Sequence, residues 1–226
     1  MTSAATHAGA GGAFTVAKDD RTGHPAPRNH RESGECRVNT KEDNAMARFQ
    51  GMSDEDKLND IQILNRALFF ENRGVWAYSF AADKLSNTEV GKTVLELGLQ
   101  NRADHEKHQD MLRRAISEAG GTPVQMEKNY DLSTYIGEGQ GNVDSDVNIA
   151  KLALALEIGA AVGYVSDAAK LKSPYMIELE AGIACIEAIH AARIRAAFNA
   201  LGIKIPVVPS ALISTSDRDN WVIKVE

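Results

Sequence analysis

The sequence has only two cysteines in 226 residues, Cys36 in a polar stretch and Cys185 in an apolar one. Two thiols can build neither a disulfide framework nor a four-cysteine zinc or iron site. The net charge is −6, without a large basic block, which argues against nucleic acid or an anionic membrane surface as a partner. We therefore expect a reducing, cytoplasmic location and a metal ion, a small molecule or another protein as partner.

The N-terminal part of the chain also lacks the features of a leader or an anchor. No basic stretch followed by a continuous apolar run begins the sequence, as a secretory signal would require, and we expect no apolar run long enough to cross a bilayer. Residues 1–50 are rich in Ala, Gly, Thr, Asn and charge and have no apolar period, so they are predicted to be a disordered tail. Met46 and Met52 leave a later natural start open.

Residues 53–202 have the apolar spacing of helices, and capping residues divide them into four. The predicted starts are at Ser53 with Asp56, Ser86 with Glu89, Asp144 or Ser145, and Ser173 with Pro174, and the predicted ends are at Gly120 with Gly121, near Leu171, and at Gly202. Short joins within each pair indicate antiparallel hairpins, whereas about 23 residues between the second and third helices can cross the bundle from end to end. The predicted fold class is therefore all-α, an antiparallel four-helix bundle with a long crossover between helices 2 and 3. Residues 203–226 are predicted to form an extended tail.

Three carboxylates lie in apolar helical surroundings. Glu157 is the only ionisable carboxylate in LALALEIGAAVGYV, Glu187 lies in AGIACIEAIHAA three residues before His190, and Glu71 follows Leu68, Phe69 and Phe70. A buried isolated carboxylate costs several kcal/mol unless it is paired, protonated or bound to a cation. These glutamates therefore indicate a polar site inside the bundle.

The two predicted hairpins repeat the same pattern. Tyr78 follows Glu71 by seven residues, and Tyr164 follows Glu157 by seven residues, which places each tyrosine about two turns along the same helix face. The second helix of each hairpin then carries a histidine, His108 or His190. Superposing the hairpins places His105 on Glu187. For the two tyrosines, packing with a satisfied hydroxyl is favoured over a redox role.

This arrangement, a glutamate on helices one and three and an acid-x-x-His pair on the others, resembles the ferritin-like di-iron carboxylate proteins. The stretches LFFENRGVWAY, LEIGAAVGY and IEAIHAARIR are most similar to ferritin-like domains of bacterial proteins outside the storage ferritins, including relatives of desiccation-linked proteins. The resemblance covers about residues 55–202. It implies that Glu71 and Glu157 are terminal ligands, that Glu187 bridges two metals, and that His108 and His190 each hold one.

The sequence departs from the family pattern at position 105, where a histidine stands in place of the expected glutamate. From 100° per residue, Asp104 lies about 40° and His105 about 60° from His108, whereas Glu106 lies about 160° away. Either His105 is a second imidazole ligand or Asp104 supplies the missing carboxylate. Loss of a bridging carboxylate favours one tightly bound metal, a mixed pair or a metal other than iron.

The resemblance implies iron as the cofactor, as two ions, with manganese as a second candidate, and dioxygen or peroxide as reactants. The implied function is oxidoreductase chemistry such as ferroxidase activity or peroxide scavenging, and a homo-dimer or a higher homo-oligomer is expected. The alternative is a non-catalytic ferritin-like bundle that acts in stress protection or as a scaffold. In that case the glutamates would be hydrogen-bonded or protonated.

Overall fold

The computed structural model describes residues 48–225, and all regular elements in that range are helices. Four helices are long: α1 (Asp54–Ala82), α2 (Glu89–Glu118), α4 (Asp146–Ala168) and α5 (Pro174–Ala200). Two are short: α3 (Ser133–Gly137) within the crossover and α6 (Arg218–Trp221) near the C-terminus. The predicted all-α bundle is confirmed. Most of the predicted N-terminal tail, with Cys36 and Met46, lies outside the described residues.

Side-chain caps begin the long helices where the sequence predicted them in three of four cases. The hydroxyls of Ser53, Ser145 and Ser173 each accept a hydrogen bond from a backbone N–H in the first turn of α1, α4 and α5. Beyond the ends of α2 and α5, Gly120 and Gly202 have φ angles of +88° and +91°, a conformation that glycine adopts without a steric penalty.

The predicted cap of the second helix is wrong by two residues. Thr88 caps α2, since its hydroxyl accepts from the N–H of Gly91 at 3.1 Å. The hydroxyl of Ser86 instead donates to Asp146 at 2.5 Å, and the Ser86 N–H donates to the same carboxylate at 2.8 Å. Ser86 therefore ties the join between α1 and α2 to the first turn of α4.

The hairpins α1–α2 and α4–α5 dock so that α1 and α4 run antiparallel. At one end of the bundle, here called the Ser86 end, Ser86 meets Asp146. At the other, the Ser173 end, the buried carboxylate of Asp60 accepts from the N–H groups of Lys172 at 2.9 Å and Ser173 at 2.7 Å. Because the hairpins are antiparallel, residues from the middle of all four long helices meet at the centre of the bundle.

The long crossover lies along the groove between α1 and α4. Tyr135, in α3, accepts a hydrogen bond from Arg73 of α1 at 3.0 Å, and its hydroxyl faces Gly159 of α4. Where the crossover reaches α4, Gly141 has a φ of +130°, and a Cβ there would lie 2.2 Å from the backbone nitrogen of Leu152. The predicted crossover is thus confirmed, and glycine is required where it meets α4.

The chain beyond the four helices packs onto the bundle at both ends of the described range. Phe49 is buried in the core, so packing begins before the predicted boundary at residue 50. After Gly202 the segment is irregular except for α6, the one helical turn that the prediction of an extended tail did not include, and Trp221 is buried. Arg218 donates to Gln140 at 2.6 Å, and the Val225 N–H donates to the Gly139 carbonyl at 2.7 Å. The C-terminal segment therefore fastens the crossover.

Helix α4 corrects one expectation about membranes. It is long and apolar enough to span a bilayer by length and composition, although no such run was expected. In the bundle, 56% of its most apolar window is buried, and Glu157 lies at its centre. A core helix of a bundle has the same composition because it is covered by protein on most sides.

Candidate metal centre

The six predicted ligand residues all lie together at the centre of the bundle and are all buried. They form two overlapping sets in which the ligand atoms lie within 4.8 Å of one another. The first set is Glu71, His105, His108 and Glu187, and the second is His105, Glu157, Glu187 and His190. His105 and Glu187 belong to both sets. Each set contains the carboxylate oxygens and imidazole nitrogens that can hold a metal ion.

Glu187 occupies the centre of the cluster. Its Oε1 lies 3.0 Å from Nδ1 of His108 and 3.6 Å from Nδ1 of His105, and its Oε2 lies 3.6 Å from Nδ1 of His190. Neither carboxylate oxygen has a hydrogen bond of acceptable geometry, and both are buried; the same holds for Nδ1 of His108. Buried polar atoms without partners are costly, and here they converge as the donor atoms of a cation site would. The residues present therefore fit a metal.

The structure places His105 inside the cluster and Asp104 at its edge. His105 Nδ1 lies 2.7 Å from Glu71 Oε2, and His105 Nε2 lies 3.4 Å from Glu157 Oε1. Asp104 lies outside both sets, with Oδ2 3.3 Å from Nε2 of His190. A carboxylate on the remote nitrogen of an imidazole orients the ring and increases its basicity. Of the two alternatives left open by the sequence, His105 has the position of a ligand and Asp104 that of a supporting residue.

Two tyrosines join the hairpins through the glutamates of the cluster. Tyr78 of α1 donates to Glu157 of α4, and Tyr164 of α4 donates to Glu71 of α1. Burial, followed by the charge of the adjacent glutamate, raises the pKa of each tyrosine well above its usual value, so both hydroxyls keep their protons. This agrees with the predicted packing role and adds a contact between hairpins that spacing along one helix could not predict.

Asn101 is a member of the site that sequence reasoning missed. Its amide nitrogen donates to the Tyr78 hydroxyl at 3.0 Å and to Glu157 Oε1 at 3.1 Å, and the residue is fully buried. It lies four residues before His105, hence one turn away on the same helix face. This spacing from His105 could have identified Asn101 from the sequence as a residue that faces the site.

Proton distribution in the metal-free cluster is set by competition between burial and charge. Burial alone would lower the pKa values of His108 and His190, but neighbouring glutamates outweigh it and raise them to about 9 and about 10. The pKa of His105 is likewise raised. Burial is the largest single influence on the pKa of Glu71 and would raise it, but the charges and hydrogen bonds of His105 and His108 together outweigh burial and lower this pKa to about 2. Burial, against the charge of His105, raises the pKa of Glu187 to about 7. When no metal is bound, the three imidazolium groups therefore face the ionised Glu71 and Glu157 and a Glu187 carboxyl that is only partly ionised at pH 7.

A cavity of about 530 Å³ leads to this cluster between α1 and α4. Its inner wall includes His105, Glu157 and Tyr164, and Gly74, Gly159 and Gly163 keep the groove between the two helices open. Its outer part is lined by charged side chains that include Arg73, Asp131 and Arg218. A small polar molecule can therefore reach the cluster from this side. We refer to this space as the polar cavity.

Glu180 is a buried carboxylate outside the cluster that the sequence analysis also missed. It lies on α5 seven residues before Glu187, is fully buried, and neither of its oxygens has a hydrogen-bond partner. Burial, with the charge of Asp167 and against that of Arg66, raises its pKa to about 8. The seven-residue spacing from Glu187 was a signal for burial on the same face.

Replacing Glu180 with glutamine is expected to flatten the dependence of stability on pH. Between an unfolded-state pKa near 4.5 and the folded-state pKa near 8, only the folded state holds this proton, so the free energy of unfolding falls as pH rises. The slope from one such group is about 1.4 kcal/mol per pH unit. Urea unfolding at pH 5, 6.5 and 8 should show wild type losing more stability than Glu180→Gln across this range. Parallel curves for the two proteins would contradict the prediction.

The fold and the cluster together define a class: helical bundles that carry a buried carboxylate and histidine site able to hold metal. Comparison with known families identifies the chain more closely, since residues 59–200 match the ferritin-like domain family. The chain belongs to the ferritin-like family. No curated protein matches the sequence.

One solved structure that is similar to this chain is described as a conserved hypothetical protein, rv2844, from Mycobacterium tuberculosis. The two share 19% sequence identity and superpose with a TM-score of 0.56, over 67% of this chain and 98% of that chain. At this identity the likeness supports the fold alone. The chemistry of the site rests on the residues described above.

Proposed function

We propose that the cluster binds two iron ions, or manganese in their place, and that the protein reacts there with dioxygen or peroxide, as a ferroxidase or a peroxide scavenger. The observation that carries the proposal is the environment of Glu187. Both of its oxygens are buried without hydrogen bonds, and three imidazoles surround them at 3.0 to 3.6 Å. A carboxylate in this position with three nitrogen donors is a strong cation site.

The residues of the cluster would form two metal positions with a shared carboxylate between them. Glu71 and His108 would hold one metal, Glu157 and His190 the other, and Glu187 would lie between them, with His105 as a third imidazole. Iron or manganese, when bound, supplies redox chemistry towards dioxygen or peroxide. The carboxylate oxygens and imidazoles suit these metals, whereas the absence of thiolates from the cluster disfavours soft metals.

The surrounding residues hold the cluster in place and limit access to it. Tyr78 and Tyr164 donate to Glu157 and Glu71, and Asp104 holds the remote nitrogen of His190. Such outer contacts fix ligand orientation. Apolar packing at the Ser173 end keeps out bulk water, and the polar cavity gives small oxidants a route to His105 and Glu157.

Metal reconstitution tests the proposal. Metal-free protein is titrated anaerobically with Fe²⁺ or Mn²⁺, bound metal is counted after desalting, and thermal unfolding is recorded. Binding to the folded state should raise the unfolding temperature in a concentration-dependent way. The loaded protein is then exposed to dioxygen or hydrogen peroxide, and consumption is compared with free metal. No bound metal and an unchanged unfolding temperature would refute the proposal; bound metal without faster oxidant consumption would favour the scaffold role.

Metal binding at pH 7 is expected to release about three to four protons per fully loaded cluster, one from each imidazole and a fraction of one from Glu187, whose pKa is raised to about 7. The pKa values of all three histidines are raised in the metal-free protein, to about 9 for His108 and about 10 for His190. Each imidazole therefore holds a proton at pH 7 that must leave before both metal positions are filled, and apparent affinity should rise as pH increases towards 9. Calorimetry in two buffers of different ionisation enthalpy measures the release. A buffer-independent binding enthalpy would contradict the prediction.

A further inference from the structure

A second cavity, at the Ser86 end of the bundle, is lined almost entirely by apolar side chains, in contrast to the polar cavity. Its volume is about 150 Å³, and all four long helices contribute to its wall. The apolar wall residues include Val94, Leu95, Leu152, Leu156, Ile194 and Phe198. Among the described residues that line it, Tyr78 and Asn101 are the only polar ones, and none is charged. We call this space the apolar chamber.

The apolar chamber reaches the side of the candidate metal centre. The amide nitrogen of Asn101 donates to the Tyr78 hydroxyl at 3.0 Å and to Glu157 Oε1 at 3.1 Å, and Tyr78 also donates to Glu157. Tyr78 lines both the apolar chamber and the polar cavity. A molecule in the chamber would therefore lie one side chain away from a cluster carboxylate.

Small residues keep the apolar chamber open. Ala77, Ala81, Ala153, Ala197 and Gly98 line it from the four helices. The Ser173 end is different, because large side chains that include Leu64, Leu112, Ile116 and Met176 fill the bundle there and are fully buried. Unfilled apolar space in a core destabilises the folded state, and a guest that fills it recovers contacts. The difference between the two ends marks the chamber as a binding space.

We propose that the apolar chamber binds a small apolar organic molecule, such as an aromatic ring or an alkyl chain of about six carbon atoms. A dry cavity of about this volume with Leu, Ile and Phe walls is known to accept benzene. The guest packs among the aliphatic side chains of the four helices and lies against the ring of Tyr78. Binding of the guest does not require metal; only its significance for chemistry at Glu157 rests on the proposed function.

Benzene binding to the metal-free protein tests this inference. Chemical shifts of methyl groups in ¹H–¹³C spectra and the thermal unfolding temperature are followed as benzene is added. Ala197→Leu fills part of the apolar chamber, whereas Ala196→Leu makes the same change at the neighbouring exposed position, which does not line it. Wild type and Ala196→Leu should show equal, saturable shifts at chamber methyls. Ala197→Leu should bind about tenfold more weakly.

A second variant that fills the apolar chamber keeps the test valid if Ala197→Leu fails to fold. Ala153→Leu fills the apolar chamber from α4 instead of α5 and should also weaken benzene binding. Absence of saturable shifts in wild type, or equal affinity in folded filling variants, would overturn the inference. Binding of xenon without any binding of benzene would also overturn it, since the chamber would then hold only gases. Because metal is absent, none of these results bears on metal binding.

Discussion

Replacing Glu187 with glutamine is expected to weaken metal binding about a hundredfold or more, a loss of at least about 2.7 kcal/mol. Glu187 is the carboxylate shared by both ligand sets, and its two oxygens lie among three imidazoles. Glutamine keeps the shape of the side chain but presents only one neutral oxygen. Bound iron or manganese after desalting, and the metal-induced rise in unfolding temperature, should both be nearly lost.

The same helix offers a matched control. Glu180 is also a fully buried glutamate of α5 with two unpartnered oxygens, but it lies outside the cluster. Glu180→Gln should keep the metal content and the metal-induced stabilisation of wild type. Equal losses in both variants would indicate that replacing either buried glutamate of α5 disturbs the bundle, and equal retention would mean that Glu187 is not a ligand.

Replacing His105 with glutamate is expected to change metal stoichiometry and relative affinity. In wild type a neutral imidazole at position 105 can bind only one metal, so one ion should bind at least about tenfold more tightly than the other. Glutamate at this position, which corresponds to Glu187 in the other hairpin, would add a second carboxylate between the two sets. We expect His105→Glu to bind two ions with more nearly equal affinity, as measured by anaerobic titration with Fe²⁺ or Co²⁺.

The metal-free form of this variant should be less stable than wild type. The cluster would lose one imidazolium and gain one carboxylate, so more buried negative charge would be uncompensated. Added metal should then stabilise His105→Glu more than wild type. His105→Gln is the control, since an amide introduces neither the carboxylate nor the imidazole. If His105→Glu and His105→Gln bind the same number of ions, position 105 does not determine stoichiometry.

Much of the fold could be predicted because local signals determine it. Ser53, Ser145 and Ser173 are caps that act within one turn, and positive-φ glycines follow α2 and α5. The cap at Ser86 was predicted wrongly because a contact with Asp146, 60 residues away, engages its side chain. Local sequence patterns therefore predict the helix boundaries well. They give the wrong cap where a residue distant in the sequence binds the side chain that would otherwise cap the helix.

The candidate ligands could be recognised because unpaired carboxylates in apolar helices are costly and therefore rare. The choice between His105 and Asp104 could not be made from helix geometry, because the two residues lie on opposite sides of His108 at comparable angles, about 60° and about 40°. It depends on α5, where His190 presents its remote nitrogen to Asp104. The crossed tyrosine contacts and the apolar chamber likewise depend on the register between hairpins, which no single helix encodes. That the buried glutamates and histidines bind metal remains a prediction.

The crossed contacts between Tyr78 and Glu157 and between Tyr164 and Glu71 have the reciprocity of an isologous dimer interface. In such an interface residue i of one copy contacts residue j of the other, and j contacts i. The two hairpins thus relate to each other as the subunits of a fused homodimer, with each half lending a hydroxyl to the carboxylate of the other. Symmetric halves would make two equal sites. His105 opposite Glu187 is where the halves differ at the shared centre, so the two ligand sets are inequivalent.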